Sequence, residues 1–408
     1  MTVIVAYMKS FYALENTVKS YSWGHSRSIP DFLGWTDHDG SPVAELWMGA
    51  HPSSPSILAG ENQPLHEAIA GSPADWLGSD VRDAYGRLPY LYKLLAAGQS
   101  LSIQAHPDKA AAEEGFAREE RNGMPLSHPR RNYKDDNHKP EILMALTPFS
   151  GMIGFRQPSA ILAAFEELEV GLPAFMASLA GKLKSNDADA LKPFLRGLLT
   201  LEGGEKDQLL ESALKNTSRS AESSCWDELQ RLWVPRLAQQ FPADIGALSP
   251  LFLNLVTIAP GEALYQPARV LHAYLDGFGV ELMANSDNVL RGGLTPKNVD
   301  VDELTSVLDF EPSVPEVLKP RETRTGGLTT FQIPTREFSL SLAAAGEDTF
   351  IPEGFGPAIV LCIEGQVTLS DDTETLTLQR GESAMIPWKA PRIALKGHGR
   401  AALAGVGR

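Results

Sequence analysis

Between residues 158 and 240 the chain leaves the two-residue alternation of strands for the spacing of helices, and afterwards it switches back. Leu191, Phe194, Leu195, Leu198 and Leu199 fall on one helical face, and Trp226, Leu229, Trp233 and Leu237 fall on another. Pro158-Ser159 can open a helix, because proline at the first helical position has no N–H to lose there. Loops such as Leu201-Glu202-Gly203-Gly204-Glu205 separate these stretches. Any fold for this chain must therefore hold an all-helical unit inserted between β regions. The leucine and aromatic stripes of that unit are core, and it shows no site chemistry.

Residues 1–110 are β-rich with irregular connections, as in Tyr21-Ser22-Trp23-Gly24 and Ala44-Glu45-Leu46-Trp47-Met48-Gly49-Ala50-His51-Pro52. His51 lies in a loop and is a weak candidate for chemistry. The apolar run Leu88–Leu95 carries Lys93, which in such a setting is either an exposed or edge residue or one that faces a substrate. The stretch Leu101–Lys109 reads as a strand ending at Pro107, with Leu101, Ile103 and Ala105 alternating against Ser102, Gln104 and His106. Residues two apart on a strand share a face, about 6.5–7 Å apart. Gln104 and His106 therefore point together, with Ser102 behind them. An imidazole and an amide oxygen converging in this way are two arms of a metal site; alone, the same pattern also describes an edge strand with a polar outer face.

After a helical stretch from Ala110 to Arg121, a polar loop ends in Asn132-Tyr133-Lys134-Asp135-Asp136-Asn137-His138-Lys139-Pro140-Glu141. Glu141 opens an otherwise apolar strand, so its carboxylate must be exposed, paired or metal-bound. His138 competes as a ligand but lies in the loop, which favours Glu141. β character returns at Leu251–Ile258, followed by the turn Ala259-Pro260-Gly261-Glu262-Ala263 and then His272, a pattern typical of cupin-type jelly-roll barrels. The run from Gly279 to Lys297 mixes polar and apolar groups like a pocket wall. From about Phe331 the pattern is again that of a jelly-roll barrel, and its only histidine, His398, cannot make a second metal site. The expected fold is mainly β: two cupin-type jelly-roll barrels with an inserted all-α domain. The expected domains are a discontinuous zinc-binding unit (1–155 and 246–330), a helical insertion (156–245) and a metal-free C-terminal unit (331–408).

Composition narrows the function classes. At 408 residues two or three domains are expected. A formal charge of −15 argues against nucleic acid and anionic membranes as partners. No stretch of eighteen uncharged apolar residues offers a membrane span. The N-terminal segment is interrupted by Lys9, Glu15 and Lys19 and reads as the start of the fold rather than a signal peptide. Cys225 and Cys362 stand far apart, which suits a reducing compartment. A cytoplasmic monomer is expected.

Gln104, His106, Glu141 and His272 supply two nitrogens and two oxygens, a mix that suits divalent zinc with an open position. The motifs LSIQAHPDK, NYKDDNHKPE, HAYLDG and ELMANSDNVLRGGLTPK resemble those of the class I (type I) mannose-6-phosphate isomerases. The likeness extends over essentially the whole chain, from AELWMGAHPSSPS to the closing KGHGR. It implies one zinc per chain on Gln104, His106, Glu141 and His272, a catalytic Arg291, and pocket roles around Ser102, Lys139, Glu281 and Lys297. The implied partner is a small sugar phosphate, mannose 6-phosphate or fructose 6-phosphate. Leu271 stands where many relatives have proline and Gly292 where alanine is usual; neither change removes a functional group.

An aldose–ketose interconversion moves hydrogen between C1 and C2, and a cis-enediol route needs positive charge near its oxyanion. Arg291 can supply it without titrating; the competing reading is an arginine paired with Asp287 to brace the turn. Glu281 and Lys139 are both candidates for the general base. Lys297, Lys93 and Ser102 are candidates for holding phosphate. Two rival readings are a non-catalytic sugar-binding cupin, which has no need of the arginine-lysine run after His272, and an iron-dependent cupin oxygenase, against which Gln104 counts.

Overall fold

The computed structural model describes residues 8–168, 171–219, 224–323 and 326–407. The expectation that the N-terminus starts the fold falls partly on residues 1–7, outside the described residues. The site-bearing sheet has ten strands, and its hub is the long strand His272–Ala284. At its start this strand pairs with Ile103–Ala105 and Phe149–Phe155; further on it pairs with Tyr90–Ala97 and Glu141–Ala145. The register slips between Tyr274 and Asp276, and such an irregularity bends and twists a strand. Gly277 follows at φ 136°, where an added Cβ would lie 2.6 Å from the Phe149 ring. One strand can thereby serve two halves of a curved sheet.

The expected strand Leu101–Pro107 is shorter than its alternation suggested, covering only Ile103–Ala105. It is not an edge, since it lies between His272–Ala284 and Leu290–Gly293. The helix after it spans Lys109–Arg121, with the Asp108 carboxylate accepting from the Ala111 N–H at 2.9 Å.

Among the described residues five α-helices, Pro158–Glu166, Ala174–Lys184, Leu191–Leu199, Gly203–Asn216 and Glu228–Gln240, lie between the strands Phe149–Phe155 and Leu253–Ile258. Those two strands are hydrogen-bonded neighbours, with Phe155 opposite Leu253. The chain thus leaves the sheet and re-enters it at the adjacent strand. Leu191, Phe194, Leu195 and Leu198 are buried in one cluster with Ile103, Ala105, Leu271 and Leu290. The helices therefore cover the apolar face of the short strand, and the opposite face is left for Gln104 and His106.

A nine-stranded sheet and a four-stranded sheet complete the molecule. The nine-stranded sheet is built mainly from the last block but also takes in early strands: Tyr12–Glu15 pairs with Ser383–Ile386, and Ile57–Leu58 pairs with Tyr12–Glu15. One of its faces packs on the site-bearing sheet in a cluster that includes Leu46, Tyr90, Tyr92, Ile359, Leu361, Ala402 and Ala404. The buried phenols of Tyr90 and Tyr92 donate to the carbonyls of Ala404 and Ala402 at 3.0 and 3.2 Å, so neither hydroxyl is stranded. The other face packs on the four-stranded sheet through Val360, Cys362, Val367, Leu369 and Ile393. Cys225 and Cys362 are both free. Among the described residues no helix is long and apolar enough to cross a membrane.

Candidate metal centre and substrate pocket

Register brings the first residues together. His272 and Arg291 are both the strand partners of Gln104, one from each side. Directly opposed residues share a face with Cβ atoms roughly 4.5–5.5 Å apart, so Arg291, Gln104 and His272 form a row. His106 follows Gln104 on the same face. Glu141 enters from the first position of Glu141–Ala145, opposite Met283 near the far end of the long strand.

His106, Glu141 and His272 are all buried and each offers one ligand atom, the three atoms lying within 4.8 Å of one another. The glutamate lies between the two rings, with Oε1 3.4 Å from His106 Nε2 and Oε2 3.5 Å from His272 Nε2. His106 Nδ1 donates to the Asn288 carbonyl at 2.6 Å, and His272 Nδ1 donates to the Val270 carbonyl at 2.9 Å. A carbonyl only accepts, so each ring carries its proton on Nδ1 and aims a bare Nε2 into the site. His106 Nε2, His272 Nε2 and Glu141 Oε2 are buried without a hydrogen-bond partner. Buried polar atoms are rarely left so. Three of them converging from two neutral imidazoles and a carboxylate fit a divalent zinc ion.

The charges agree with that fit. Burial lowers the His106 pKa to about 4, with Lys139 adding to the effect, so the ring is neutral. Burial pushes the Glu141 carboxyl up, but the Lys139 ammonium, with Nζ 3.1 Å from Oε1, leads the effects that overcome it and hold the group well below the usual range. The carboxylate is ionised and able to ligate.

A second polar group lies further along the same sheet. Lys93 is buried, which removes the exposed or edge reading of the two the sequence left open, and its Nζ lies 2.9 Å from Glu281 Oε2 and 3.3 Å from Glu45 Oε1. The Trp47 indole donates to the other Glu45 oxygen at 2.9 Å, and its ring lies under the ammonium at 5.4 Å. Burial disfavours the Lys93 charge, but Glu281 and Glu45 raise its pKa well above the usual value. Glu281 is shifted upward by burial, against the pull of Lys93 and with repulsion from Glu141. Nothing in Leu88–Leu95 announced this clamp; the signal was Glu45 and Trp47 alternating on a neighbouring strand.

Arg291 is half-buried, and burial lowers its pKa. It has no ion-pair partner among the described residues. Asp287, the residue that would have braced it, lies instead 3.6 Å from His51 Nε2. Lys297 is exposed, with its pKa lowered first by partial burial and then by the charges of Arg291 and Lys134. Lys134, in the NYKDDNHKPE run, was not singled out in the sequence. Ser102 stands half-buried just before the short strand, and His138 turns away to pair with Glu337 at 2.7 Å. A cavity of about 570 Å³ bounded by Phe32, Phe278, Leu342 and Arg380 contains none of these residues.

Comparison with known proteins gives concordant matches. A family model described as phosphomannose isomerase type I, catalytic domain, matches residues 11–158, and one described as mannose-6-phosphate isomerase, cupin domain, matches residues 328–405. The mannose-6-phosphate isomerase of Escherichia coli (strain K12) is 39% identical, covering 95% of this chain and 98% of its own length. That of Bos taurus is 34% identical, covering 91% and 92%. Among solved structures, mannose 6-phosphate isomerase from Salmonella typhimurium bound to its substrate fructose 6-phosphate and zinc superposes with a TM-score of 0.88 at 36% identity, covering 98% of this chain and 100% of that one. A mannose 6-phosphate isomerase bound with zinc and yttrium gives a TM-score of 0.89 at 37% identity, with the same coverage.

Proposed function

The chain belongs to the type I phosphomannose isomerase family, and from that premise we infer that it interconverts D-mannose 6-phosphate and D-fructose 6-phosphate at the His106–Glu141–His272 centre. The observation that carries the assignment is the convergence of three buried, unpartnered ligand atoms, with Arg291, which has no acidic partner among the described residues, in register with Gln104. Gln104, in register between His272 and Arg291, completes the donor set with its amide oxygen. Zinc bound there supplies Lewis acidity toward the sugar oxygens.

The remaining work belongs to the chain. Arg291 meets the enediolate charge with a planar donor fork that does not titrate near neutrality. Glu281 and Lys139 are the two groups placed to hold the proton moved between C1 and C2. Lys93, engaged by two carboxylates, holds Glu281 in position rather than taking phosphate. The phosphate falls to Lys297 and Lys134, with Ser102 beside the metal strand. The architecture is read as two cupin-type jelly-roll units, residues 1–155 with 246–330 and residues 331–408, with residues 156–245 inserted into the first. The match of a cupin-domain model to residues 328–405 supports the second unit.

The test is turnover. Purified protein should convert fructose 6-phosphate to mannose 6-phosphate, followed by NMR of the anomeric protons, and should leave glucose 6-phosphate essentially untouched. Saturable binding of mannose 6-phosphate without conversion would instead identify a sugar-phosphate-binding cupin.

A further inference from the structure

One buried side chain outside the donor set ties the segment that leads to Glu141 to the segment that leads to Arg291. Asn288 is fully buried. Its amide oxygen accepts from the Lys134 and Asp135 N–H groups at 2.6 and 3.2 Å. Its amide nitrogen donates to the Asp135 and Asn137 carbonyls at 2.8 and 2.9 Å, with the Asp135 carboxylate at 3.3 Å. An asparagine side chain has two donors and two acceptor sites, and all are engaged. The clasp is doubled by Asp135, whose carboxylate accepts from Ser286 Oγ at 2.8 Å and from the Asp287 N–H at 2.7 Å. Ser286 Oγ in turn accepts from the Asn288 N–H at 3.2 Å.

Three consequences for the site follow from the chain's course. Residues 134–137 lead directly into Lys139 and Glu141. The Asn288 segment leads directly into Arg291. The Asn288 carbonyl is the group that accepts the His106 Nδ1 proton. Partners of this kind fix a ligand's tautomer and orientation, and their loss typically lowers metal affinity by 10–100-fold.

We propose that Asn288 is a positioning residue for the metal centre: by clasping residues 134–137 to the segment whose carbonyl fixes the His106 tautomer, it sets zinc affinity and ligand geometry. This rests on the reading of His106, Glu141 and His272 as the metal site. No other residue type can replace it without loss. Aspartate has no donor and would face the Asp135 carboxylate, and alanine would take the partner from three backbone groups, the Lys134 and Asp135 N–H and the Asp135 carbonyl.

The test is zinc affinity of the full-length protein, stripped of metal and titrated against a chromophoric chelator, together with the visible spectrum of the cobalt-substituted form. Asn288→Asp should bind zinc about 10–100-fold more weakly than the parent and show altered cobalt band positions. Asp135→Asn, nearly isosteric and milder, should shift both in the same direction by a smaller factor, and it carries the test if Asn288→Asp does not fold. A folded variant of either kind with lower thermal stability but parental zinc affinity and cobalt spectrum would overturn the proposal, leaving only a structural role. His106→Ala keeps the two readings apart: if it binds zinc as tightly as the parent, the metal-site assignment itself has failed.

Discussion

The site-bearing sheet and the C-terminal block use the same material, antiparallel strands with alternating faces, and fill their interiors in opposite ways. Between the nine-stranded and four-stranded sheets the packing is Val360, Cys362, Val367, Leu369, Leu378, Ile386, Ile393 and Leu395. The equivalent positions on the ten-stranded sheet include Glu45, Lys93, Glu141, Gln266, His272 and Glu281, all buried. An apolar interior needs only volume. A polar one must have every charge matched, and here the matching is complete for Lys93 with its two glutamates and for Glu141 with Lys139. On those strands the atoms left without a partner, His106 Nε2, His272 Nε2 and Glu141 Oε2, are the candidate metal ligands. Polarity inside a sheet fold is expensive, and on the ten-stranded sheet it is gathered at the candidate metal centre and the Lys93 cluster.

The largest effect is expected where the polar interior is made to resemble the apolar one. Lys93→Met leaves Glu45 and Glu281 buried and facing each other, which should cost about 3–5 kcal/mol of stability and also reduce turnover. Ile393→Ala in the apolar block should cost about 2–5 kcal/mol with kcat unchanged. Chemical denaturation and steady-state kinetics on both variants check this, and parental kcat in a folded Lys93→Met protein would refute the role given to the clamp.

Next in size is Arg291→Ala. It should lower turnover roughly 100-fold or more, about 3 kcal/mol of transition-state stabilisation, with zinc content and thermal midpoint near those of the parent. Arg291→Lys should restore little, since the charge returns without the planar fork. Turnover within about threefold of the parent in the alanine variant would remove Arg291 from the mechanism.

A smaller effect is expected where the two regions meet. Burial pushes the Glu337 carboxyl up, but hydrogen bonds from His138 and Thr335 overcome it and hold its pKa at about 2. A depressed carboxyl contributes stability above its unfolded value, near 4.5, and loses it as pH falls through the folded value. Glu337→Gln should therefore cost about 1–2 kcal/mol at pH 7, allowing for solvent screening, with the difference from the parent shrinking between pH ~4.5 and ~2. A pH-independent difference would mean that the ion pair is not its source.

The smallest effect concerns the two departures from the usual family residues, which lie together. A Cβ on Gly292 would sit 3.2 Å from Leu304 Cδ2 and 3.5 Å from Leu271 Cδ1. Gly292→Ala stiffens the unfolded chain, worth about 0.4–1 kcal/mol, but crowds these leucines. The net change measured by denaturation should stay under about 1 kcal/mol; a loss above about 2 kcal/mol would show that Leu271 and Gly292 are tightly coupled.

How much of this could be read beforehand depended on whether a residue's meaning is local. Ile103 and Ala105 against Gln104 and His106 announce two faces by alternation, and the faces are those found, apolar against helices and polar toward the site. Glu141 at the head of an apolar strand was conspicuous because a lone carboxylate there needs a reason. The helical block was plain from its periodicity. Lys93 was not legible, since its partners lie on two other strands and only pairing brings Glu45 and Glu281 beside it. Asn288 was hidden for a similar reason: its side chain closes on a loop far away in sequence. The membership of Tyr12–Glu15 in the C-terminal sheet was invisible as well, because strand pairing over such a distance leaves no trace in local composition.

The central claim is that the three unmatched atoms are a zinc site on which isomerisation depends. The most direct measurement is zinc per chain by elemental analysis, paired with fructose 6-phosphate turnover before chelation, after chelation and after zinc is restored, for the parent, His272→Ala and His398→Ala. The account predicts about one zinc per chain and reversible loss of activity on chelation in the parent and in His398→Ala, and little zinc or turnover in His272→Ala. Full turnover by protein shown to be free of metal, or parental zinc content in His272→Ala, would contradict it.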